Sequence, residues 1–256
     1  MTDSGGVTVA DTVRWLHDEG MLRLAGVGAR ALNPLIAYAV DVATGTVSAH
    51  PDTGGEIGAD VATLAADDLP FPVGTSKRLT IVGVTTTESV LVVDLGEVRR
   101  IAINGDRPET AARAWAMQLL LNPEISLTTN SADLVIADSP RCKQTFIPGS
   151  GSTVLNIDDR HPPVTTVCLN PATDEIDHLD ISDNGTGELY LGARFWQLRQ
   201  IMTIPDDAWT ALAGRLQSPQ QESSSGESRP SESVSAPFVT PPPVAMPDGK
   251  HLESRT

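Results

Sequence analysis

The stretch LVVDLGEVRRIAINGDRPETAARAWAMQLLL, residues 91–121, decides the fold of this chain. Two apolar runs are followed by a turn at Gly105 and a long amphipathic segment, so the pattern predicts strand, strand, tight turn and helix. That order is the frame of a phosphate-binding loop (P-loop), whose chemistry requires Gly-x-x-x-x-Gly-Lys-[Ser/Thr]. Here the turn reads NGDRPET, residues 104–110, with one glycine and no lysine. The sequence therefore predicts an α/β frame without the phosphate chemistry that usually accompanies it.

The start of the predicted helix has a local explanation. Asp106 is a favourable N-cap residue, and Glu109 is placed to return a hydrogen bond to the cap, as in a capping box. Pro108 falls in the first turn, where its missing N–H costs little. The alanine-rich run that follows places Trp115 and Leu119 on one face. Asp106 and Glu109 also stand where a phosphate would need positive potential, so the turn is predicted to cap a packing helix.

The composition is that of a folded, strongly acidic protein. Of the 256 residues, 40% are hydrophobic and 4% aromatic, so aliphatic side chains must fill most of the core. The formal net charge of -15 argues against a nucleic-acid partner, because DNA and RNA are bound by lysine and arginine that displace counterions. No apolar run approaches the roughly 20 residues of a membrane span, and the first residues lack signal-peptide character. The sequence predicts a soluble, cytoplasmic protein without membrane insertion.

The two cysteines, Cys142 and Cys168, match neither a zinc site nor a redox pair in their spacing. Since nothing else in the sequence indicates export, two reduced thiols are favoured over a disulfide, and the pairing stays open. The five histidines are scattered, with no pair at metal-binding helical spacing. The sequence therefore predicts no metal site and no cofactor.

Before the deciding stretch, the chain is predicted to be rich in β-hairpins. Alternating apolar runs flank short turns that contain glycine or small polar residues, which is typical of hairpins. The predicted pairs are residues 12–17 with 21–25, 35–42 with 46–50, and 79–85 with 89–95. The alanine-rich acidic segment 56–68 predicts a short helix or an ordered loop, and 99–104 is the strand that enters the helix.

After the helix, SADLVIAD at 131–138 predicts an apolar strand that ends in Asp138. In P-loop proteins, a strand of this kind supplies a magnesium-linked carboxylate. Without the lysine and the hydroxyl, Asp138 is interpreted as a turn residue. Further strands are predicted at 164–169, 189–191 and 195–201, and a last helix at 206–216 with Asp206 or Asp207 as its cap.

Three regions follow from these elements. Residues 1–98 form a hairpin-rich region, and 99–216 form an α/β region that contains the P-loop-like unit and packs with the first. Residues 217–256 are dominated by serine, proline, glutamine and glutamate, which cannot bury enough apolar surface to become ordered. The predicted fold class is thus α/β or α+β, followed by a disordered tail.

Two clusters of reactive side chains stand out. Asp158, Asp159, Arg160 and His161 include the carboxylates and the imidazole that a hydrolase or a metal site uses. Adjacent residues of an extended chain point in different directions, however, so this cluster is interpreted as a surface turn. The acidic group at 174–180 does not match a calcium-loop pattern and is predicted to be a solvated loop.

Several short motifs together resemble a known group of proteins. They are a Val-x-x-Leu run within residues 12–24, LPFP at 69–72, LVVDLG at 91–96, IAINGD at 101–106 and the alanine-rich helix. In this order they resemble the middle region of large actinobacterial membrane proteins that often carry LysM or bacterial transcriptional-activator domains. More distantly, they are similar to the FtsK/SpoIIIE-like ATPase domains of type VII secretion. The resemblance covers about half of the chain and implies a P-loop-like module, linked to cell-envelope or secretion systems, that has lost its nucleotide machinery.

These observations lead to one principal hypothesis and two alternatives. The principal hypothesis is a non-catalytic interaction or scaffold module that binds a protein partner, with no catalytic residue. The first alternative is a regulatory protein that binds ATP or ADP weakly through Gly105, Asp106, Arg107 and Asp138. The second is a hydrolase that uses Asp158 or Asp159 together with His161.

Overall fold

One large mixed sheet organises the part of the chain that the computed structural model describes, which is residues 6–52, 62–65, 78–136, 139–158 and 163–217. The sheet has 13 strands in the order β3-β2-β1-β5-β4-β13-β12-β11-β6-β10-β9-β7-β8. The strands are β1 Leu35–Asp41, β2 Thr46–Pro51, β3 Ala62–Ala65, β4 Leu79–Thr85, β5 Ser89–Asp94, β6 Arg100–Asn104, β7 Leu127–Thr129, β8 Cys142–Gln144, β9 Thr153–Ile157, β10 Thr165–Leu169, β11 His178–Ile181, β12 Gly187–Leu191 and β13 Arg194–Ile201. A mixed, strand-rich α/β class is therefore confirmed.

Parallel pairing is concentrated around β6. This strand runs parallel to β10 on one side and to β11 on the other, and β7 runs parallel to β8. The other described pairs are antiparallel, including the predicted hairpins β1–β2 and β4–β5. The described residues all fall in one compact unit. The predicted disordered tail lies outside the described residues except for Gln217.

The hairpin predicted at residues 12–25 is wrong, because this segment is helical. It comprises α1 (Val9–Trp15), a π-helical turn (Leu16–Gly20) and α2 (Met21–Arg30). Most of its buried residues recur every three or four positions, at Thr12, Leu16, Gly20, Leu24 and Val27. That spacing is the period of a helix and not the alternation of a strand.

Two local devices support this helical segment. Thr8 and Asp11 form a capping box, in which Asp11 N donates to Thr8 Oγ1 at 3.2 Å and Thr8 N donates to Asp11 Oδ2 at 3.1 Å. Gly20, predicted as a hairpin turn residue, instead makes room for the ring of Trp15. A Cβ at this position would lie 2.8 Å from that ring, so the glycine lets the Trp15 ring pack closely against the helical segment.

The helix α3 (Pro108–Leu120) follows β6 and a turn at Gly105, as predicted. The resemblance of this strand-turn-helix unit to a P-loop is not confirmed. Trp115 and Leu119 are both buried, in agreement with the predicted apolar face. The amide of Gln118 fixes the helix to β4, since its Oε1 accepts from Ile81 N at 2.8 Å and its Nε2 donates to Ile81 O at 3.1 Å.

The capping box predicted for α3 is wrong. The N-cap is Arg107, which has no side-chain cap hydrogen bond, and Pro108 occupies the first turn as predicted. Because the helix begins one residue later than a cap at Asp106 requires, Glu109 does not return a bond to that cap. Its Oε1 instead accepts from Arg107 Nε at 3.2 Å.

Two further predicted segments are corrected. The apolar strand predicted at 131–138 is a 3-10 turn, Ala132–Leu134, because Ser131 Oγ accepts from Asp133 N at 3.2 Å and closes the backbone locally. Asp138 lies outside the described residues. Within the segment 56–68, predicted as helix or loop, Ala62–Ala65 is the edge strand β3, and the rest lies outside the described residues.

Two apolar clusters form the core on opposite faces of the sheet. Leu91 and Val93 of β5 belong to the cluster that contains the buried side of α3. Val90 and Val92 belong to the cluster that contains Leu16 and Leu24 of the first helical segment. Every residue of β5 is therefore buried. Cover on both faces explains why this strand reads as an unbroken apolar run in the sequence.

Candidate functional site

A cleft of about 700 Å³ opens where α3 begins and where the parallel strands β6 and β10 end. Ligands of open α/β sheets commonly bind outside the carboxyl ends of parallel strands. We refer to this feature as the α3 cleft. It is bordered by α4 (Asp206–Gln217) and lined by Asp106, Arg107, Pro108, Glu109, Arg113, Ser131, Ala132, Asp133, Thr153, Leu169, Asn170, Asp206, Trp209 and Thr210.

The residues proposed from the sequence for nucleotide binding are only partly brought together. Asp106 and Arg107 line the α3 cleft, and Gly105 immediately precedes them. Asp138, the fourth member, lies outside the described residues.

Gly105 is explained by backbone packing. Its φ is +137°, and a Cβ on it would lie 2.5 Å from the carbonyl oxygen of Ile181 at the end of β11. Its N–H donates to Asn170 Oδ1 at 3.0 Å, and its carbonyl accepts from Asn170 Nδ2 at 2.9 Å. Since the amide already has a partner, it is not free to hold a phosphate oxygen as the amides of a P-loop do.

The two arginines of the cleft both pair with one carboxylate, that of Asp206. Arg107 Nη2 donates to Asp206 Oδ2 at 2.6 Å, and Arg113 Nη1 donates to Asp206 Oδ1 at 2.5 Å. The Arg113 and Arg107 guanidiniums hold the pKa of Asp206 below its usual range. The hydrogen bonds from Arg107 to Asp206 and Glu109 raise the pKa of Arg107. Asp206 thus occupies the position in which an external anion would meet both arginines.

The cap predicted for α4 is therefore wrong. The helix begins at Asp206, so this residue lies in the first turn and not before it, and both carboxylate oxygens are engaged by the arginines. Asp207 is also in the first turn. Acids in that turn are still favourable, because they face the positive end of the helix dipole.

Arg113 is the functional residue that the sequence interpretation missed. Its side chain is 6% exposed, its Nε donates to Asp133 O at 2.9 Å, and its guanidinium carbon lies 5.5 Å from the ring centre of Trp209 in α4. The available signal was that Arg113 is the sole charged residue between Thr110 and Leu121 in an otherwise apolar helical run. A buried arginine needs acceptors, and here α4 and the 3-10 turn provide them.

The charge of the cleft is acidic despite the arginines. Four carboxylates, those of Asp106, Glu109, Asp133 and Asp206, line it beside two guanidiniums, which leaves a formal charge of -2. Within the described part of the chain, the carboxylates of Asp106 and Asp133 take part in no ion pair. The cleft therefore favours cationic groups over phosphates.

Asp158 is not in the surface turn that the sequence predicted. It is 1% exposed with φ +49° at the end of β9. Its Oδ2 accepts from Arg78 Nε at 2.8 Å and Nη2 at 2.6 Å, and its Oδ1 accepts from Ser126 N at 3.0 Å. These bonds give the carboxylate a structural role. Asp159 and His161 lie outside the described residues.

The cysteines are buried and free. Burial raises the pKa of both thiols, and Cys142 Sγ donates to Leu134 O at 3.5 Å. In the described part of the chain, no three histidine, cysteine, aspartate or glutamate side chains are grouped so as to hold a metal ion.

Part of the segment 174–180, predicted to be a solvated loop, belongs to the sheet. β11 begins at His178, and the preceding acids are engaged: Glu175 Oε1 lies 2.7 Å from Arg100 Nε, and Asp177 Oδ1 accepts from Gly192 N at 2.7 Å. These bonds tie the loop to β6 and to the β12–β13 turn.

None of the helices in the described residues has the length and apolar character needed to cross a membrane. No family model, curated protein or solved structure matches this chain. The resemblance to actinobacterial LysM-associated and FtsK/SpoIIIE-like proteins stays a prediction.

Proposed function

We propose that this chain is a non-catalytic interaction module whose α3 cleft receives a positively charged segment of a protein partner. The observation that carries the proposal is the pairing of both cleft arginines with Asp206 inside the molecule. Asp206 and Glu109 together offset the charge of the two arginines, so the carboxylates of Asp106 and Asp133 remain to attract a ligand to the cleft. The acidic chain as a whole, with a net charge of -15, attracts the same kind of partner at longer range.

The alternative of weak ATP or ADP binding through Gly105, Asp106, Arg107 and Asp138 has less support. A phosphate needs free backbone amides and positive side chains. The Gly105 amide is bound by Asn170, and Arg107 is bound by Asp206 and Glu109. A nucleotide phosphate would have to compete with Asp206 and Glu109 for Arg107, and with Asp206 for the buried Arg113.

The hydrolase alternative also has less support. A catalytic carboxylate must reach its substrate, whereas Asp158 is buried and accepts three hydrogen bonds from Arg78 and Ser126. A role for Asp159 and His161 would have to be independent of Asp158.

Thermal unfolding with added ligands separates these functions. We expect a lysine-rich peptide to raise the Tm and a glutamate-rich peptide of equal length to leave it unchanged. A ligand at about 100 times its Kd stabilises a fold by about 2.7 kcal/mol, or roughly 5–11 °C for a domain of this size. Mg-ATP and Mg-ADP should produce no shift, and a clear nucleotide shift would replace the proposal with the nucleotide alternative.

Two double variants test whether the peptide raises the Tm by binding in the α3 cleft. The double variant Asp106→Asn, Asp133→Asn should lose most of the peptide-induced shift. The control is Asp18→Asn, Asp52→Asn, which removes the same charge at two exposed positions that do not line the cleft. Equal losses in the two variants would show that the peptide responds only to net charge, and this result would refute a role for the cleft.

A further inference from the structure

Three rings form a row across neighbouring strands of the sheet. His178 of β11 pairs in register with Tyr190 of β12, which pairs with Phe195 of β13. The ring centres of His178 and Tyr190 are 4.5 Å apart and stacked, and those of Tyr190 and Phe195 are 4.9 Å apart and tilted by 43°. Phe195 ends the row and is 51% exposed. We call this row, together with the acids described next, the aromatic face.

Two carboxylates occupy the next row on the same side of the sheet. Asp180 and Glu188 are paired in register and lie two residues from His178 and Tyr190, so they share the face of those rings. Asp180 Oδ1 accepts from Asn104 Nδ2 at 2.8 Å, and Glu188 Oε2 accepts from the Tyr190 hydroxyl at 2.9 Å. Both carboxylates are thus held in place beside the rings.

The aromatic face lies on the opposite side of the sheet from α3. Leu179 and Ile181 alternate with His178 and Asp180 along β11, and they pack in the cluster that contains α3. The aromatic face is therefore a different surface from the α3 cleft. An inference about it goes beyond the proposed function.

The chemistry of this face suits a flat cation. Phe195 is the last ring of the row that runs from His178 through Tyr190. About half of its surface is open to solvent. Aromatic faces carry negative quadrupole charge that attracts cations. Glu188 pairs with Gln197, so it is the diagonal neighbour of Phe195, within reach of a group that rests on that ring. Arginine combines a planar cation that stacks on rings with a fork that binds carboxylates.

The two arginines on this part of β13 do not pair with the carboxylates of the aromatic face. Arg199 Nη2 donates to Glu88 at 2.8 Å, and Arg194 Nε donates to Pro51 O at 3.0 Å. Among the described residues, neither Asp180 nor Glu188 forms an ion pair with a lysine or an arginine. Asp180 Oδ2 lies 3.7 Å from His178 Nε2, a contact that is an ion pair only when the imidazole is protonated. The face thus presents two carboxylates beside the exposed ring of Phe195.

We propose that the aromatic face binds an arginine side chain of a protein partner. The guanidinium stacks on Phe195 and is paired by Glu188, with Asp180 adding negative potential. The occupant is an arginine-containing segment because charge complementarity favours a cation and the open ring favours a planar one.

The preference for arginine over lysine tests this proposal. The full chain is titrated with two labelled peptides of equal length, one alternating glycine with arginine and the other glycine with lysine, and Kd is measured by fluorescence anisotropy. We expect the arginine peptide to bind about two- to fivefold more tightly, which is the size of one exposed cation–π contact. Phe195→Leu keeps apolar area but removes the ring, so it should abolish this preference.

Matched controls separate this surface from general electrostatics. Phe146→Leu changes another exposed phenylalanine, 83% exposed, and should leave the preference intact. Glu188→Gln should weaken both peptides, since it removes a charge but keeps an acceptor for Tyr190. The cleft variant Asp106→Asn, Asp133→Asn should preserve the arginine preference, so failure of the proposed function is distinguished from failure of this inference.

Three results would overturn the inference. The first is equal affinity of the wild-type chain for the two peptides. The second is an unchanged arginine preference in Phe195→Leu. The third is a dimer of the wild-type chain, in sedimentation velocity, that Phe195→Leu dissociates, because a second copy would then be the occupant of this face.

Discussion

The substitution Asp158→Asn is expected to destabilise the fold while preserving its backbone. Asp158 is nearly inaccessible, and its Oδ2 accepts hydrogen bonds from both Nε and Nη2 of Arg78. Asparagine has almost the same shape and tolerates the φ of +49° at this position. The substitution therefore removes the charge without adding backbone strain.

The size of the effect follows from what each partner loses. Removing one member of a buried ion pair costs about 3–5 kcal/mol, because the desolvated charge of the other member loses that counterion. The Arg78 side chain is 25% exposed, compared with 2% for Asp158, so water can still solvate part of the guanidinium. The asparagine oxygen can also keep the bond from Ser126 N. We therefore expect a loss of about 2–3 kcal/mol in the free energy of unfolding, or about 4–12 °C in Tm.

Urea unfolding followed by tryptophan fluorescence measures this loss, and the m-value shows whether the unfolding transition stays the same. Asp158→Ala should cost about 1–2 kcal/mol more, because alanine is strained at a left-handed φ. The double variant Arg78→Met, Asp158→Asn should be more stable than the sum of the single losses predicts, since both members of the ion pair are removed together. A loss below about 0.5 kcal/mol for Asp158→Asn would refute the reasoning, because the carboxylate would then have no structural role.

Three other perturbations test separate features. Burial and the charge of Arg194 lower the pKa of His50 to about 4, whereas the unfolded chain has the ordinary value of about 6.5. The free energy of unfolding should therefore fall by about 1–2 kcal/mol, after allowance for partial exposure, as the pH drops from about 6.5 to about 4. His50→Phe should remove this component of the pH profile. Gly105→Ala places a Cβ against Ile181 O and should lower the free energy of urea unfolding by at least about 2 kcal/mol. The control Gly149→Ala, at a position with a positive φ but open space, should cost about 1 kcal/mol. Equal costs would contradict the close-packing explanation. Asp206→Asn weakens the attachment of α4 to both cleft arginines and should raise hydrogen-exchange rates of the α4 amides; unchanged exchange would show that the arginines do not hold the helix.

Local sequence pattern predicted most of the sheet. The hairpins at 35–50 and 79–95 have alternating or continuous apolar runs around short turns, and their strands occur where predicted. The run from Pro108 to Leu120 is helical for the same kind of reason, since alanine and leucine favour a helix locally. In these segments, local preference and tertiary packing favour the same structure.

The helical start of the chain was mispredicted because two periodicities compete there. Asp-Glu-Gly at 18–20 resembles a hairpin turn, but burial every three or four residues is satisfied only by a helix packed on β5 and its neighbours. Tertiary burial therefore decided the element, as it also decided that Gly20 serves the packing of Trp15.

The candidate site was only half visible in the sequence. The glycine turn without a lysine at residues 104–110 drew attention to the start of α3, because P-loop chemistry depends on side chains that are close in sequence. The pairing of Arg113 with Asp206 spans 93 residues, and that of Arg78 with Asp158 spans 80. No local pattern reports such contacts.

The sequence by itself determined the acidic character of this protein, its α/β pattern, the strand β6 with the helix α3 after it, and the absence of a complete phosphate-binding motif. Only the tertiary structure decided that Asp206 pairs with both cleft arginines, that Asp158 is buried against Arg78, and that three rings align across β11, β12 and β13. The physical reason is the distance along the chain over which each kind of interaction acts. Periodicity and turn chemistry act over a few residues, whereas charge pairing and ring stacking depend on which strands and helices become neighbours when the sheet assembles.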